Sequence, residues 1–151
     1  MYDATRQMIV SIAQARGGFG GLRSWFGALD DLRGETTATD IARHLGARLS
    51  DTFDDGSLVS LTDQEAARAL SFVASNSMAY PRSIQPNPEL IEQIYAGLAA
   101  LGTDARFYSN GEWHRSDSLI SWKPLTEATF DTGVIGLNPS VGFMIWAEEE
   151  D

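Results

Sequence analysis

Phe130-Asp-Thr-Gly-Val-Ile-Gly-Leu137, then Asn138-Pro139-Ser140, then Val141-Gly-Phe-Met-Ile-Trp-Ala147: this stretch decides the fold. Two runs rich in β-branched and aromatic residues flank three turn formers, the pattern of a β-hairpin. Upstream, Ala105–Ser109 and Glu112–Ser116 flank Asn110-Gly111, the pair that best fits a two-residue hairpin turn because both of its positions need positive φ. Leu119–Trp122 reads as a further strand, ended by Pro124.

Before Thr103 the spacing is helical. Met8, Ile9, Ile12 and Ala13 share one face of a helix over residues 3–16. The run Gly17-Gly18-Phe19-Gly20-Gly21 ends it and reads as a flexible joint between helices, since no strand precedes it and no Lys-Ser or Lys-Thr follows to make a phosphate loop. Leu22, Trp25, Phe26 and Leu29 mark a short apolar helix. Thr37-Ala38-Thr39-Asp40 can cap a helix running to about Leu49, with Ile41, Leu45 and Leu49 inward. Asp54-Asp55-Gly56 is a turn. Thr62-Asp63-Gln64-Glu65 is a capping box ahead of Ala66, Ala69, Leu70, Val73 and Ala74. Pro81, Pro86 and Pro88 break the chain, and Pro88 sits in the first turn of a helix whose stripe is Leu90, Ile91, Ile94, Tyr95, Leu98 and Leu101, stopped by Gly102. The expectation is one α+β domain over residues 1–151: N-terminal helices (1–102) packed on a C-terminal antiparallel β meander (105–147), with residues 148–151 a solvated acidic tail.

The 151 residues are enough for a proper core without staples, and the chain has no cysteine, which excludes disulfides, thiolate metal sites and cysteine nucleophiles. The first sixteen residues lack the basic and then apolar pattern of a signal peptide, and no apolar run reaches the length of a membrane span, so a cytoplasmic protein is expected. The two histidines, His44 and His114, have no partner at metal-ligand spacing. Residues 51–62 resemble a calcium loop only in outline: Phe53 and Thr62 fall where oxygen ligands belong. No glycine pattern around a serine makes a nucleophile elbow. Catalytic residues, metal ligands and cofactors are therefore expected to be absent, and the protein is read as a non-enzyme.

Charge points to the partner. The net charge is −10, with 21 acids against 11 bases. Residues 1–48 carry a net +1 and residues 49–151 a net −11. Such a field repels nucleic acid and anionic membranes and attracts basic proteins, although an acidic chain also gains solubility from it. Asp51, Asp54, Asp55, Asp63 and Glu65 fall in a stretch with no base between Arg48 and Arg68. They form either a solvated loop and helix N-terminus or a docking surface for a basic partner. In the expected 105–116 hairpin, Tyr108 would face Trp113 and Arg106 would face Arg115. These four are either internal cation–π packing or interface anchors.

The C-terminal third also carries a resemblance. Trp122-Lys-Pro124, Thr129-Phe130-Asp131-Thr-Gly133-Val134-Ile135-Gly136 and Phe143-Met-Ile145-Trp146 with an acidic end resemble the tail of bacterial immunity proteins encoded beside polymorphic toxins of type VI or contact-dependent secretion. The resemblance spans roughly residues 105–151. It implies a cytosolic inhibitor that binds one cognate toxin stoichiometrically, and it brings no catalytic residues. A basic, cytosol-acting toxin would suit the charge. Two other readings compete: an acidic nucleic-acid mimic that inhibits a defence or restriction enzyme, for which the acids should fall in regular rows, and a cryptic enzyme.

Overall fold

Capping and periodicity account for most of the helices. The computed structural model describes residues 1–17, 19–31, 37–43, 49–80, 83–113 and 122–150. Helix α1 (Asp3–Arg16) buries Thr5, Met8, Ile12 and Arg16, a stripe at three- and four-residue spacing. Ala13, expected inward, is exposed. Helix α2 (Ala38–Arg43) is short. It is opened by reciprocal bonds between Thr37 and Asp40, the Thr37 N–H donating to the carboxylate and the Asp40 N–H to the threonine hydroxyl. Helix α3 (Asp63–Ser75) has the expected Thr62/Glu65 capping box. Helix α4 (Pro88–Ala99) starts at Asn87, whose side chain accepts from the Leu90 N–H.

The strands are β1 (Gly21–Ala28), β2 (Val59–Leu61), β3 (Arg106–Ser109), β4 (Phe130–Leu137) and β5 (Val141–Glu149), in sheet order β1-β5-β4-β3-β2 with every neighbouring pair antiparallel. The fold is α+β. The β4–β5 hairpin lies where residues 130–147 place it, turning through Asn138, whose side-chain oxygen accepts from the Ser140 and Val141 N–H groups.

The sheet is nevertheless not a C-terminal meander, because both of its edges come from the first half of the chain. Residues 21–28 form a strand, not a helix. Leu22, Trp25 and Phe26 fit a helical stripe, but Leu22 and Phe26 face one core and Trp25 the other, and eight consecutive pairs to β5 outweigh local spacing. The glycine run is accordingly a helix-to-strand joint, with Gly20 at φ 113°. The helix expected to reach Leu49 ends, within the described residues, at Arg43, and Leu49 instead bridges Thr126.

The 105–116 hairpin does not form. Tyr108 pairs with Ser60 and Ile135, not Trp113, and Arg106 pairs with Leu137. The reason is the side chain of Asn110. Instead of turning the chain, its buried amide donates to the Lys123 carbonyl and to both the carbonyl and carboxylate of Asp131, and its oxygen accepts from Thr132. His114, Arg115 and most of the expected strand 119–122 lie outside the described residues. Trp122 makes only an isolated bridge to Gly111.

Two cores sandwich the sheet. On one face α1, α3 and α4 pack Met8, Ile12, Leu70, Val73, Ile94 and Leu98 against Phe107, Val134, Phe143 and Ile145. On the other, α2 packs Ile41 and Ala42 with Leu125, Ile135, Leu137, Met144 and Trp146. Successive residues of β4 and β5 alternate between these cores, so both strands are buried along nearly their whole length. Gly133 is required there: a Cβ would collide with the β5 backbone at Ile145 and Trp146.

Two buried charged sites, holding three charged side chains, lie at the margins of these cores. Arg16, 1% exposed, sits 3.0 Å from Glu149. It also donates to the carbonyls of Val73, Asn76 and Phe19. Glu149 accepts from the Ser77 hydroxyl and the Met78 N–H as well. Residues 148 and 149 are therefore not a solvated tail but the end of β5, with Glu148 paired to Arg23. Burial pushes the Glu149 carboxyl up, but the bonds from Ser77, Met78 and Arg16 outweigh it and hold it below the usual glutamate value. Asp131 is the second. Burial raises its carboxyl above the ordinary value, and the bonds from Thr126 and Leu125 pull it back only in part. The Trp146 indole N–H adds a small pull from nearby without reaching hydrogen-bond geometry.

The two carboxyls act oppositely on acid stability. The Glu149 contribution is complete above the ordinary value of 4.5 and is lost as pH falls through its lowered folded value. The Asp131 contribution is complete below 3.8 and is lost as pH rises through its raised folded value. Glu149→Ala leaves a buried guanidinium unpaired and should cost about 3–5 kcal/mol in urea unfolding at neutral pH. Across a pH series, that variant should lose stability less steeply than wild type below pH 4.5, whereas Asp131→Asn should lose it more steeply on descent from neutral pH.

Candidate partner-binding surface

The acidic stretch is positioned by a relay of contacts that starts at Asp131. Both carboxylate oxygens accept backbone N–H groups, from Leu125 and Thr126, at 2.6–3.3 Å. This pins residues 125–126 beside β4. That segment in turn holds the start of the acidic loop: the Ser50 N–H donates to the Leu125 carbonyl at 2.8 Å, and Leu49 bridges Thr126. Phe53 and Leu58 pack onto the α2-side core and fix the rest of the loop. The chain then enters β2, and Thr62 starts α3 directly after it.

The five acids of this stretch thus bracket one edge of the sheet. Among the described residues β2 pairs only with β3, and Val59 and Ser60 are exposed. Asp51 and Asp63 are exposed, and neither carboxylate has a hydrogen bond or ion pair to a described residue. Asp54 is exposed but serves the loop itself, accepting from the Gly56 N–H at 2.8 Å and from Ser57. Glu65 is half-buried and accepts from the Thr62 N–H. The side chain of Asp55 lies outside the described residues. The structure therefore separates two acids that only carry charge from two that also hold the backbone.

The aromatic and basic candidates divide. Tyr108 is half-buried against the α2-side core, the same core that anchors Phe53 and Leu58, and its strand neighbour is Ser60 of β2. Arg106 is exposed on β3. Trp113 is not an interface anchor: it is 0% exposed in the opposite core, tilted against Phe72 at 5.2 Å, with its indole N–H donating to the Ser109 hydroxyl. Arg115 lies outside the described residues. Sequence reasoning missed Val59 and Ser60, although Leu58-Val59-Ser60-Leu61 between a glycine turn and a capping box had the composition of a short strand.

A depression of about 350 Å³ at the end of β5 is lined by Ser77, Tyr80 and Glu148–Glu150 among others. Its carboxylates are engaged internally, Glu148 with Arg23, Glu149 with Arg16 and Glu150 with Thr129. Among the described residues no group of three or more His, Cys, Asp or Glu could hold a metal ion. No helix there is long and apolar enough to cross a membrane.

Trp113→Ala should empty a fully enclosed site and lower unfolding free energy by about 3–5 kcal/mol, read by chemical denaturation. Tyr108→Ala, at a half-buried position, should cost distinctly less in the same assay. Comparisons with known protein families, with curated proteins and with solved structures found no match to this chain.

Proposed function

We propose that this protein is a stoichiometric inhibitor of the immunity type, which binds and neutralises a basic protein toxin acting in the cytosol. The observation that carries the reading is the pair of exposed carboxylates, Asp51 and Asp63, that precede and follow β2 in the chain and, among the described residues, have no partner, as the outer side of β2 has none. Carboxylates committed to internal ion pairs cannot attract a partner. These two can, and the Asp54 and Glu65 charges beside them add to the field. The net charge of −10 of the whole chain, in which ion pairs cancel, extends its reach. The likeness of residues 105–151 to immunity-protein tails supports the same reading.

The mechanism is recognition without chemistry. Opposite charge speeds encounter and disfavours wrong partners, while the ordered loop limits the entropy lost on docking. Tyr108 and Val59 supply apolar contact beside the acids. The partner is a protein, not nucleic acid or membrane, and no cofactor takes part.

The test is co-expression with the toxin-like product of the adjacent gene, followed by association kinetics at two salt concentrations. Wild type should protect cells, with an on-rate that falls as salt rises. The double variant Asp51→Lys/Asp63→Asn should associate on the order of tenfold or more slowly and show a flatter salt dependence, while its unfolding free energy falls by no more than about 1 kcal/mol, the cost of losing the acid from the first turn of α3. Failure to protect, or an on-rate indifferent to salt in wild type, would overturn the reading.

A further inference from the structure

The two edges of the sheet are built differently. Edge strands invite pairing with other chains, and proteins blunt them by shortening, charging or bulging them. β2 is three residues long and bracketed by acids, so it is blunted in two of these ways. β1 is eight residues long, pairs with β5 in unbroken register from Gly21–Glu148 to Ala28–Val141, and has no bulge and no proline. Its one charged side chain, Arg23, is drawn back onto Glu148. Among the described residues nothing pairs with its outer side. Beside it, a groove of about 420 Å³ between α1 and β1 is lined by Tyr2, Ile9, Val10, Phe26 and Val141 among others, and Val10 is 48% exposed.

We propose that β1 is a homodimer edge: two copies pair β1 with β1 antiparallel about a two-fold axis through Ser24, joining their sheets into one. This surface is separate from the acidic one at β2. A two-fold axis normal to the sheet keeps the same face up in both copies, so residues of like parity must face each other. Centring on Ser24 satisfies this and gives self-complementary pairs. Arg23 of one copy lies opposite Trp25 of the other, twice, and Leu22 lies opposite Phe26, twice. The first pair suits a cation beside an aromatic face, and the second is apolar contact beside the α1 groove. No charge faces its own image.

Charge also selects a second copy at β1 and not at β2. The two edges are four strand spacings apart, roughly 19 Å, about twice the screening length at physiological salt. Pairing through β1 places the two acidic surfaces at opposite ends of the joined sheet. Their repulsion is screened, and both stay open to partners. Pairing through β2 would press them together.

The chain contains no cysteine, so one introduced thiol reports one contact. In sedimentation and light scattering over a concentration series, the wild-type chain should reach twice the monomer mass. Ser24→Cys should oxidise to a covalent dimer, because that position meets itself across the axis. Arg23→Cys, which meets Trp25, should cross-link poorly. Ser24→Lys places like charges on the axis at an exposed position and should abolish the dimer with no change in circular dichroism, its unfolding midpoint matching that of wild type diluted to the monomer. A chain that stays monomeric at every concentration overturns the proposal. So does a dimer that survives Ser24→Lys and leaves Ser24→Cys uncrosslinked. A monomer whose toxin binding is lost in Ser24→Lys also overturns it, since the edge would then belong to a strand of the toxin.

Discussion

A buried carboxylate governs the surface that matters here. Asp131 is 0% exposed, yet both of its oxygens accept backbone N–H groups from residues 125–126. An unpaired buried N–H is costly, and a buried carboxylate is costlier still, so each makes the other tolerable. The start of β4 is thereby tied to the strandless segment that leads into it. That segment is the shelf on which the acidic loop begins. Asn110 and Thr132 complete the network and satisfy the remaining polar atoms.

Arg16 and Glu149 do comparable work at the opposite margin. The guanidinium reaches three carbonyls from two parts of the chain, and the carboxylate takes Ser77 and Met78. The pair therefore joins the end of α1, the end of α3 and the end of β5 in one cluster. Buried pairs of this kind seldom add net stability over an apolar replacement, but breaking one partner leaves the other stranded. Among the described residues Arg16 Nε has no hydrogen-bond partner, which leaves little room for further loss.

How much of this was legible in the sequence depended on whether the signal was local. Capping boxes are short-range and chemically specific, and Thr62/Glu65 and Asn87/Pro88 marked α3 and α4 correctly. The β4–β5 hairpin was equally local. β1 was not: Leu22, Trp25 and Phe26 satisfy a helical stripe as readily as two faces of a strand, and only β5, more than a hundred residues later, decides between them. Asn110-Gly111 misled for a related reason. The pair suits a tight turn, but Asp131 and Lys123 offered the asparagine amide better partners. Of the proposed surface, the sequence supplied the acids but not their grouping. Nothing in the order of residues says that Asp51 and Asp63 stay free while Asp54 and Glu65 are spent on backbone N–H groups. Trp113 shows the converse limit: an aromatic beside charges reads as an anchor until its burial is known.

The division of labour among the acids bears on how recognition works. A flexible acidic loop would attract a basic partner at long range but pay for ordering at contact. Here the loop is ordered by its own contacts, so the proposed docking would not have to order it. Asp54 locks the 3₁₀ turn, Glu65 locks the start of α3, and Leu49, Phe53 and Leu58 fasten the loop to the sheet. Of the two carboxylates with no partner among the described residues, Asp63 lies two residues past a short strand whose length limits indiscriminate pairing, and Asp51 at the start of the loop that leads into it. Long-range attraction and short-range rigidity thus come from different residues of one stretch. A substitution at Asp51 changes the field and leaves the scaffold intact, one at Asp63 also removes a favourable charge from the first turn of α3, and one at Asp54 or Glu65 removes a backbone contact as well.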